Sequence, residues 1–491
     1  MLRIATSSQR KALETLYFRA PAVRNRIVKG TKTQERKPQR DSCHGTPDSF
    51  GRHSHMFHLG WFLGNGFGIQ PWHGTYAGTS MTDWTKPDLY RDLTSSLERG
   101  GYDYVFIEDT AMVEDTYQGT AEHALSKGQM APKNDPMPLV PLMVQGSKHI
   151  GIISTISTTQ YPPYLAARQG VTLDHLTDGR FGMNIVTSVT HRVGQNFGYD
   201  RLPPHDERYA RAEEWMDVVS KLWNSWEDDA LVHDQENVVY ADHTKVHTID
   251  HSGTHFKVRG PLNTIPGPQR RPVIAQAGNS IPGREIAARN ADTMLAMGHS
   301  VAQMKAFRDD MRKRAAAHGR NPDDLKVMFL VTPMLGETDE HAWERERARV
   351  ARASTPEAIA EVLWNLSYVS GGEVDFSKFD LDAKMPDIVG NGEQSSMRQY
   401  VTGNEEKTLR EVVTGIRQIG DLGLIGSSDT VAEKMGEIME EVGGDGFLFF
   451  PEMTRRTISE YADGLSPALR RRGLIRDSYE FDTFRENLLA F

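Results

Sequence analysis

HIGIISTISTTQYPPYLAARQGVTLDHLTDGRFGMNIVTS, residues 149–188, holds the pattern that decides the fold. Two short β-rich runs, 149–157 and 181–187, flank a helical stretch over Tyr164–Leu176. Runs of this kind, alternating with helices, imply a parallel sheet covered on both faces. The unit recurs in both directions along the chain. Upstream lie Phe57–Leu63 (FHLGWFL), a helix over Pro87–Arg99 and Asp103–Ile107 (DYVFI). Downstream, His205–Trp223 reads as an amphipathic helix with Trp215, Val218, Val219 and Leu222 on one face. Pro272–Gln276, Thr293–Met297, Val327–Val331 and Gly446–Phe450 complete eight runs. Helical patterns over Arg284–Arg289, Val301–His318, Thr338–Asn365 and Asp429–Glu441 follow the last four. Eight strand–helix units predict an α/β fold, a (β/α)₈ TIM barrel. The rival is a doubly wound sheet, which needs a glycine-rich turn opening its first helix. Gly64, Gly66 and Gly68 have the wrong spacing, and Pro71 and Trp72 follow where that helix should start.

Composition narrows the function. The 491 residues are 38% hydrophobic and 25% charged, ordinary values for a globular chain. No run approaches the roughly 20 apolar residues of a membrane span, which excludes an integral membrane protein. Cys43 stands alone, so an internal disulfide and a cysteine-based metal site are excluded, and no metal site is expected. No basic field covers the chain, so nucleic acid is not the expected partner. The net charge of −9 hides an asymmetry. Residues 1–55 hold 12 Lys and Arg against 4 Asp and Glu; the rest hold 45 against 62. This segment reads as a basic, disordered N-terminal extension, as a mitochondrial transit peptide, or as sequence upstream of a natural start at Met56. Residues 56–491 read as a single barrel. Two segments fall outside the eightfold repeat, about 226–268 and 371–403, and both are candidate lids over the barrel mouth.

The chemistry is expected at strand ends. The second run ends in Glu108 and Asp109, the third in Thr155, Ser157, Thr158 and Thr159. The fourth contains Asn184 and ends in Thr187 and Ser188, and the fifth ends in Gln276, Ala277, Gly278, Asn279 and Ser280. Hydroxyls, amides and small residues therefore line the mouth. Gly278–Ser280 before a helix suits a phosphate, because backbone N–H groups converge there and the helix dipole favours negative charge. The same pattern also serves as an ordinary turn with a serine cap. His205 and Tyr209, four apart, share a helix face; they either reach the mouth or pack on the barrel wall.

These blocks together resemble the luciferase-like flavin monooxygenases, in the branch of the nitrilotriacetate, dibenzothiophene-sulfone and pristinamycin-type enzymes. The matching pieces include STISTTQYPPYLAAR (154–168), LTDGRFGMNIVTS (176–188), QNFG (195–198), HDERYARAEEWMDVVSKLWNSW (205–226), DHSGTHFKVRGPLN (250–263) and PVIAQAGNSIPGREIAA (272–288). The C-terminal block ISEYADGLSPALRRRGLIRDSY resembles the same branch.

The resemblance implies a barrel with insertions that binds FMN at its mouth. By matched position it puts Asp109, Thr155, Asn184 and Thr187 at the flavin ring. It puts His205, Tyr209, Gly278 and Ser280 beside the flavin and its phosphate. It implies a two-component reaction, in which a separate NAD(P)H-dependent flavin reductase supplies reduced FMN. This chain then uses O₂ as co-substrate to oxygenate a small organic molecule, a chemistry common in xenobiotic degradation. Proton donors are sought among histidines in the mouth loops: His73 and His191, with His299 a third. Trp61, Phe62, Phe67, Trp72, Tyr76 and Trp84 favour a flat apolar substrate, an organosulfur compound or a chlorinated aromatic. An aminopolycarboxylate such as nitrilotriacetate is the alternative, with Arg168, Arg192 and Arg284 near the mouth. An F420-dependent hydride-transfer enzyme and a non-catalytic flavin-binding barrel are the rivals from other classes. The expected assembly is a homo-oligomer, a dimer or tetramer. The expected compartment is the cytoplasm, or the mitochondrion if residues 1–55 are a transit peptide.

Overall fold

The computed structural model describes residues 56–64, 83–388, 390–401, 404–415 and 422–491. Residues 1–55 and the loop 65–82, which carries His73, Phe67, Trp72 and Tyr76, lie outside the described residues.

Eight strands close into a parallel barrel: β1 (His58–Leu63), β2 (Tyr104–Ile107), β3 (Gly151–Ser157), β4 (Phe181–Val186), β5 (Val273–Ala277), β6 (Thr293–Ala296), β7 (Lys326–Val331) and β8 (Gly446–Phe449). Each pairs with its sequence neighbour, and β8 returns to β1 with His58 opposite Gly446. In the longest ladder Ile152 lies opposite Phe181 and Ser157 opposite Val186. This register brings Thr155 beside Asn184, a pairing the site depends on.

The helices used below are α1 (Pro87–Arg99), α2 (Pro163–Leu176), α3 (His205–Trp223), α4 (Ile281–Asn290), α5 (Val301–Ala317), α6 (Asp339–Ala353), α7 (Pro356–Val369), α8 (Gln394–Val401), α9 (Leu409–Thr414), α10 (Ser428–Val442) and α11 (Phe484–Leu488). The apolar face of α3 packs inward as its spacing requires: Trp215, Val218, Val219 and Leu222 are fully buried. The single helix expected over Thr338–Asn365 is two, α6 and α7. Thr355 caps the second by accepting from the Ala358 N–H, and Pro356 cannot continue the first.

Inside the barrel, Tyr104, Ile153, Val273, Met328 and Leu448 form the plug, and Phe484 and Leu488 of α11 pack against it. Gly151 leaves room for the Phe484 ring, which a Cβ there would overlap. A buried ion cluster ties the C-terminal tail to the barrel. Asp103 pairs with Arg476 and with His58 at 3.0 Å, and accepts the Leu59 N–H at 3.0 Å.

The two insertions differ in place. Residues 226–268 form two short hairpins, Leu231–Asp234 with Val239–Ala241 and His251–Ser252 with Lys257–Val258. They follow a helix rather than a strand, so they emerge at the end of the unit remote from the mouth. From there they run up the outside of α2 and α3, with Tyr164 reaching Asn263 and Glu214 accepting from the His255 and Phe256 N–H groups. No residue of this insertion borders the mouth cavity among the described residues. The second insertion belongs to a larger cap. Met112, Tyr117 and Met130 from the loop after β2 meet Leu363, Trp364 and Leu366 of α7, Phe376, Met397 of α8 and Leu409 of α9 in their own apolar core.

Candidate active site

Between barrel and cap lies a cavity of about 1190 Å³. This exceeds the roughly 300–1,000 Å³ that holds one drug-sized ligand. Asp109, Thr155, Asn184, Thr187, His205, Tyr209, Gly278 and Ser280 all border it.

Its floor is built by β3 and β4. The Thr155 hydroxyl donates to the Ile107 carbonyl at 2.7 Å, which uses its only proton. Its oxygen then accepts from the Asn184 amide nitrogen at 2.8 Å. That bond orients the Asn184 amide. Its Oδ1 is buried and has no partner among the described residues. A buried orphan acceptor costs roughly 1–3 kcal/mol, so this atom asks for a donor from a ligand. Beside it, the Thr187 carbonyl accepts from Thr159, and the Ser157 and Ser188 hydroxyls lie 2.7 Å apart.

One end is rich in donors and positive. Ser280 is the N-cap of α4, accepting from the Gly283 N–H at 3.3 Å. The Tyr209 hydroxyl lies over Gly278 and Gly283; a Cβ on either would meet it at 3.4 or 3.3 Å. The His205 ring packs on Tyr209, with centroids 4.6 Å apart. Sequence reasoning missed Arg208, because nothing in its spacing sets it apart from Arg211 on the same helix, which lies over the Phe256 ring. It is buried, donates to the Pro203 and Asn391 carbonyls, and forms no ion pair among the described residues. Its Nε is buried without a partner among the described residues. A helix N-terminus, a buried guanidinium and an imidazole together suit an anion.

The other end is acidic. Burial pushes the Asp109 carboxyl up to about 7, against the pull of Lys133 and with help from Glu108 and Asp135. Glu108 accepts from Lys133 at 2.8 Å and from Thr110 at 2.6 Å. The walls here are apolar: Phe62 packs against Phe106 and Phe450, with centroids 5.5 and 5.2 Å apart.

Other expected groups lie elsewhere. His191 does not border the cavity. Its Nδ1 accepts from the Leu202 N–H, and its Nε2 meets Glu373 of the cap at 2.8 Å. His299 is exposed beyond β6 and is not part of the lining. His73 lies outside the described residues. Arg168, Arg192 and Arg284 also miss the cavity. Arg192 pairs with Asp115, and Arg284 pairs with Asp310 over the Phe307 ring. Of the aromatics proposed for the substrate, Phe62 lines the cavity, whereas Trp61 is buried in the outer core against Tyr102 and Tyr461. Among the described residues no cluster of His, Cys, Asp or Glu is arranged to hold a metal.

Residues 58–446 match the family described as luciferase-like monooxygenase. The chain belongs to this family. It is 36% identical over 408 residues to the dimethyl-sulfide monooxygenase of Hyphomicrobium sulfonivorans, covering 82% of this chain and 84% of that one. It is 34% identical over 415 residues to nitrilotriacetate monooxygenase component A of Aminobacter aminovorans, covering 82% and 90%. A riboflavin lyase solved with modified FMN and riboflavin superimposes with a TM-score of 0.78 at 27% identity, covering 89% and 96%. The chain is thus a flavin-dependent monooxygenase that works with reduced FMN and O₂. The cavity fits that cofactor: it offers an acceptor at Asn184, an anion site at α4 and volume to spare.

Proposed function

We propose that this oxygenase component seats FMN across the floor of the cavity and oxygenates an uncharged apolar substrate beside it. The observation that carries the reading is the Asn184 Oδ1 orphan in the same cavity as the donor-rich end of α4. Ser280, the Gly278 backbone, Tyr209, His205 and Arg208 would hold the phosphate. Asp109, Thr155, Asn184 and Thr187 would hold the ring. Bound reduced FMN supplies the two electrons that split O₂, so that one oxygen enters substrate and one leaves as water. The protein's own work is positioning and drying. Thr155 holds the Asn184 amide in one orientation. The cap would exclude water, and Arg208 ties it to α3 through the Asn391 carbonyl at 2.9 Å. Asp109 can hold a proton near neutral pH at the cavity wall.

Phe62, Phe106 and Phe450 support an aromatic or organosulfur substrate. A separate NAD(P)H-dependent reductase completes the system, in a reducing compartment such as the cytoplasm. Exposed Val238 and Tyr240 on the first hairpin support self-association into a homo-oligomer. The test supplies reduced FMN from a flavin reductase and NADH, under ¹⁸O₂, with dibenzothiophene sulfone and nitrilotriacetate offered separately. One ¹⁸O in a product of the sulfone is expected. Products free of ¹⁸O contradict oxygen transfer, and turnover of nitrilotriacetate alone contradicts the substrate class.

A further inference from the structure

The cavity meets solvent chiefly between two segments. Five exposed side chains border it among the described residues: Lys127, Arg352, Glu357, Glu361 and Glu452. Glu452 follows β8, and the other four stand on two elements that meet. One is the short helix Glu122–Lys127 with the turn after it; the other is the junction of α6 and α7. The His123 ring stacks on Trp364 between them, with centroids 6.1 Å apart. Local chemistry sets both elements. Gly128 ends the short helix at φ 68°, which glycine adopts without strain. Pro356 in the first turn of α7 cannot continue α6, and Thr355 caps the new helix.

One hydrogen bond crosses the gap: the Gln129 side-chain amide donates to Glu361 at 2.8 Å. The bond lies at the surface, where water replaces either partner, so it opens at low cost. Inward of it the lining turns apolar, with buried Met130 and Trp364 beside Ala353, Ala358 and Val362. The rim has no dominant charge. Lys127 and Arg352 stand against Glu357 and Glu361, and Arg349, which also borders the cavity, is held by Glu346 at 2.6 and 2.8 Å. Burial and the charge of Lys127 hold the His123 imidazole below its ordinary range, so it adds no charge near neutral pH. A balanced rim draws in no ion, and an apolar passage favours an uncharged molecule.

We propose that this gap is the portal by which an uncharged substrate reaches the cavity, that the Gln129–Glu361 bond is its gate, and that the passage behind it selects substrates by width. This rests on the oxygenase reading above and adds to it the route by which the substrate arrives.

The test uses enzyme loaded with oxidised FMN and two uncharged probes of different width, methyl phenyl sulfone and dibenzothiophene sulfone. Stopped-flow flavin absorbance gives the association and dissociation rates, and calorimetry gives the affinity. Ala358→Trp narrows the passage. It is expected to slow both rates for dibenzothiophene sulfone by about tenfold or more, and to slow the smaller probe less. Glu361→Ala removes the bar and is expected to speed both rates by up to about tenfold, the limit that one surface hydrogen bond sets. In each variant the affinity holds within about twofold, because a gate changes the barrier and not the bound state. FMN affinity and far-ultraviolet circular dichroism report that each variant is folded and loaded. Rates that neither variant changes, affinities that change as much as the rates, or wild type that binds neither sulfone overturn the portal. Failure of the wild type to take up FMN overturns the oxygenase reading beneath it.

Discussion

Asn184 donates its amide N–H to Thr155 Oγ1 at 2.8 Å, and this bond fixes the orientation of the amide, whose buried oxygen has no partner among the described residues. Replacing Asn184 by Leu removes the acceptor and leaves the bound ring's donor unpaired. FMN affinity should fall by roughly ten- to a hundredfold, the equivalent of about 1–3 kcal/mol. Thr155→Val frees the amide to rotate and should cost less, about fivefold. Quenching of flavin fluorescence measures both; unchanged affinity in Asn184→Leu would show that the ring binds elsewhere.

Ser280 has two duties, as cap of α4 and as a phosphate ligand. Ser280→Ala should lower stability by about 1 kcal/mol through the lost cap. It should also shrink the preference for FMN over riboflavin, while riboflavin affinity itself holds. Parallel titrations of the two flavins separate the duties. A loss of equal size for both would place the phosphate away from α4.

Asp109 sets a pH dependence. Its carboxyl is raised to about 7, so the folded protein keeps this proton through a range where the unfolded chain has lost it. Above about pH 7 a negative charge appears at the cavity wall, opposed to an anionic flavin. FMN affinity should therefore fall as pH rises from 6 to 8, by up to about tenfold. Asp109→Asn should flatten that portion of the profile. The difference between the two profiles isolates Asp109 from the titration of the phosphate.

Asp103 is a stability residue. Burial opposes its ionisation, but Arg476 and His58 hold its carboxyl below the ordinary range. Its contribution is complete above the unfolded value of about 3.9 and is lost as pH falls below it. Asp103→Ala leaves Arg476 buried without its carboxylate and should cost about 3–5 kcal/mol. Thermal unfolding followed by circular dichroism tests this, and FMN affinity should be spared at temperatures where the variant is folded.

What was legible in the chain follows from what is local. The ends of α1 and α3 coincide with the expected 87–99 and 205–223, because apolar spacing and flanking turns are written in consecutive residues. The mouth residues were legible because strand ends in a barrel converge by construction. The break at Thr355–Pro356 was written there too, but a continuous helical pattern on both sides masked it. The cap was not legible as a unit. Met112 and Met130 meet Trp364 and Met397 only after the chain has closed the barrel, and no periodicity links segments that far apart. The histidine rule could not foresee that His191 meets Leu202 and Glu373, which lie 11 and 182 residues away in the chain.

The most direct test of the account is an anaerobic titration of the purified protein with reduced FMN, followed by a pulse of O₂, in wild type and Asn184→Leu. The account predicts one tightly bound reduced FMN per chain, reoxidation at a rate distinct from that of free reduced flavin, and weaker binding in the variant. Absence of binding in the wild type, or reoxidation identical to flavin in free solution, would contradict it.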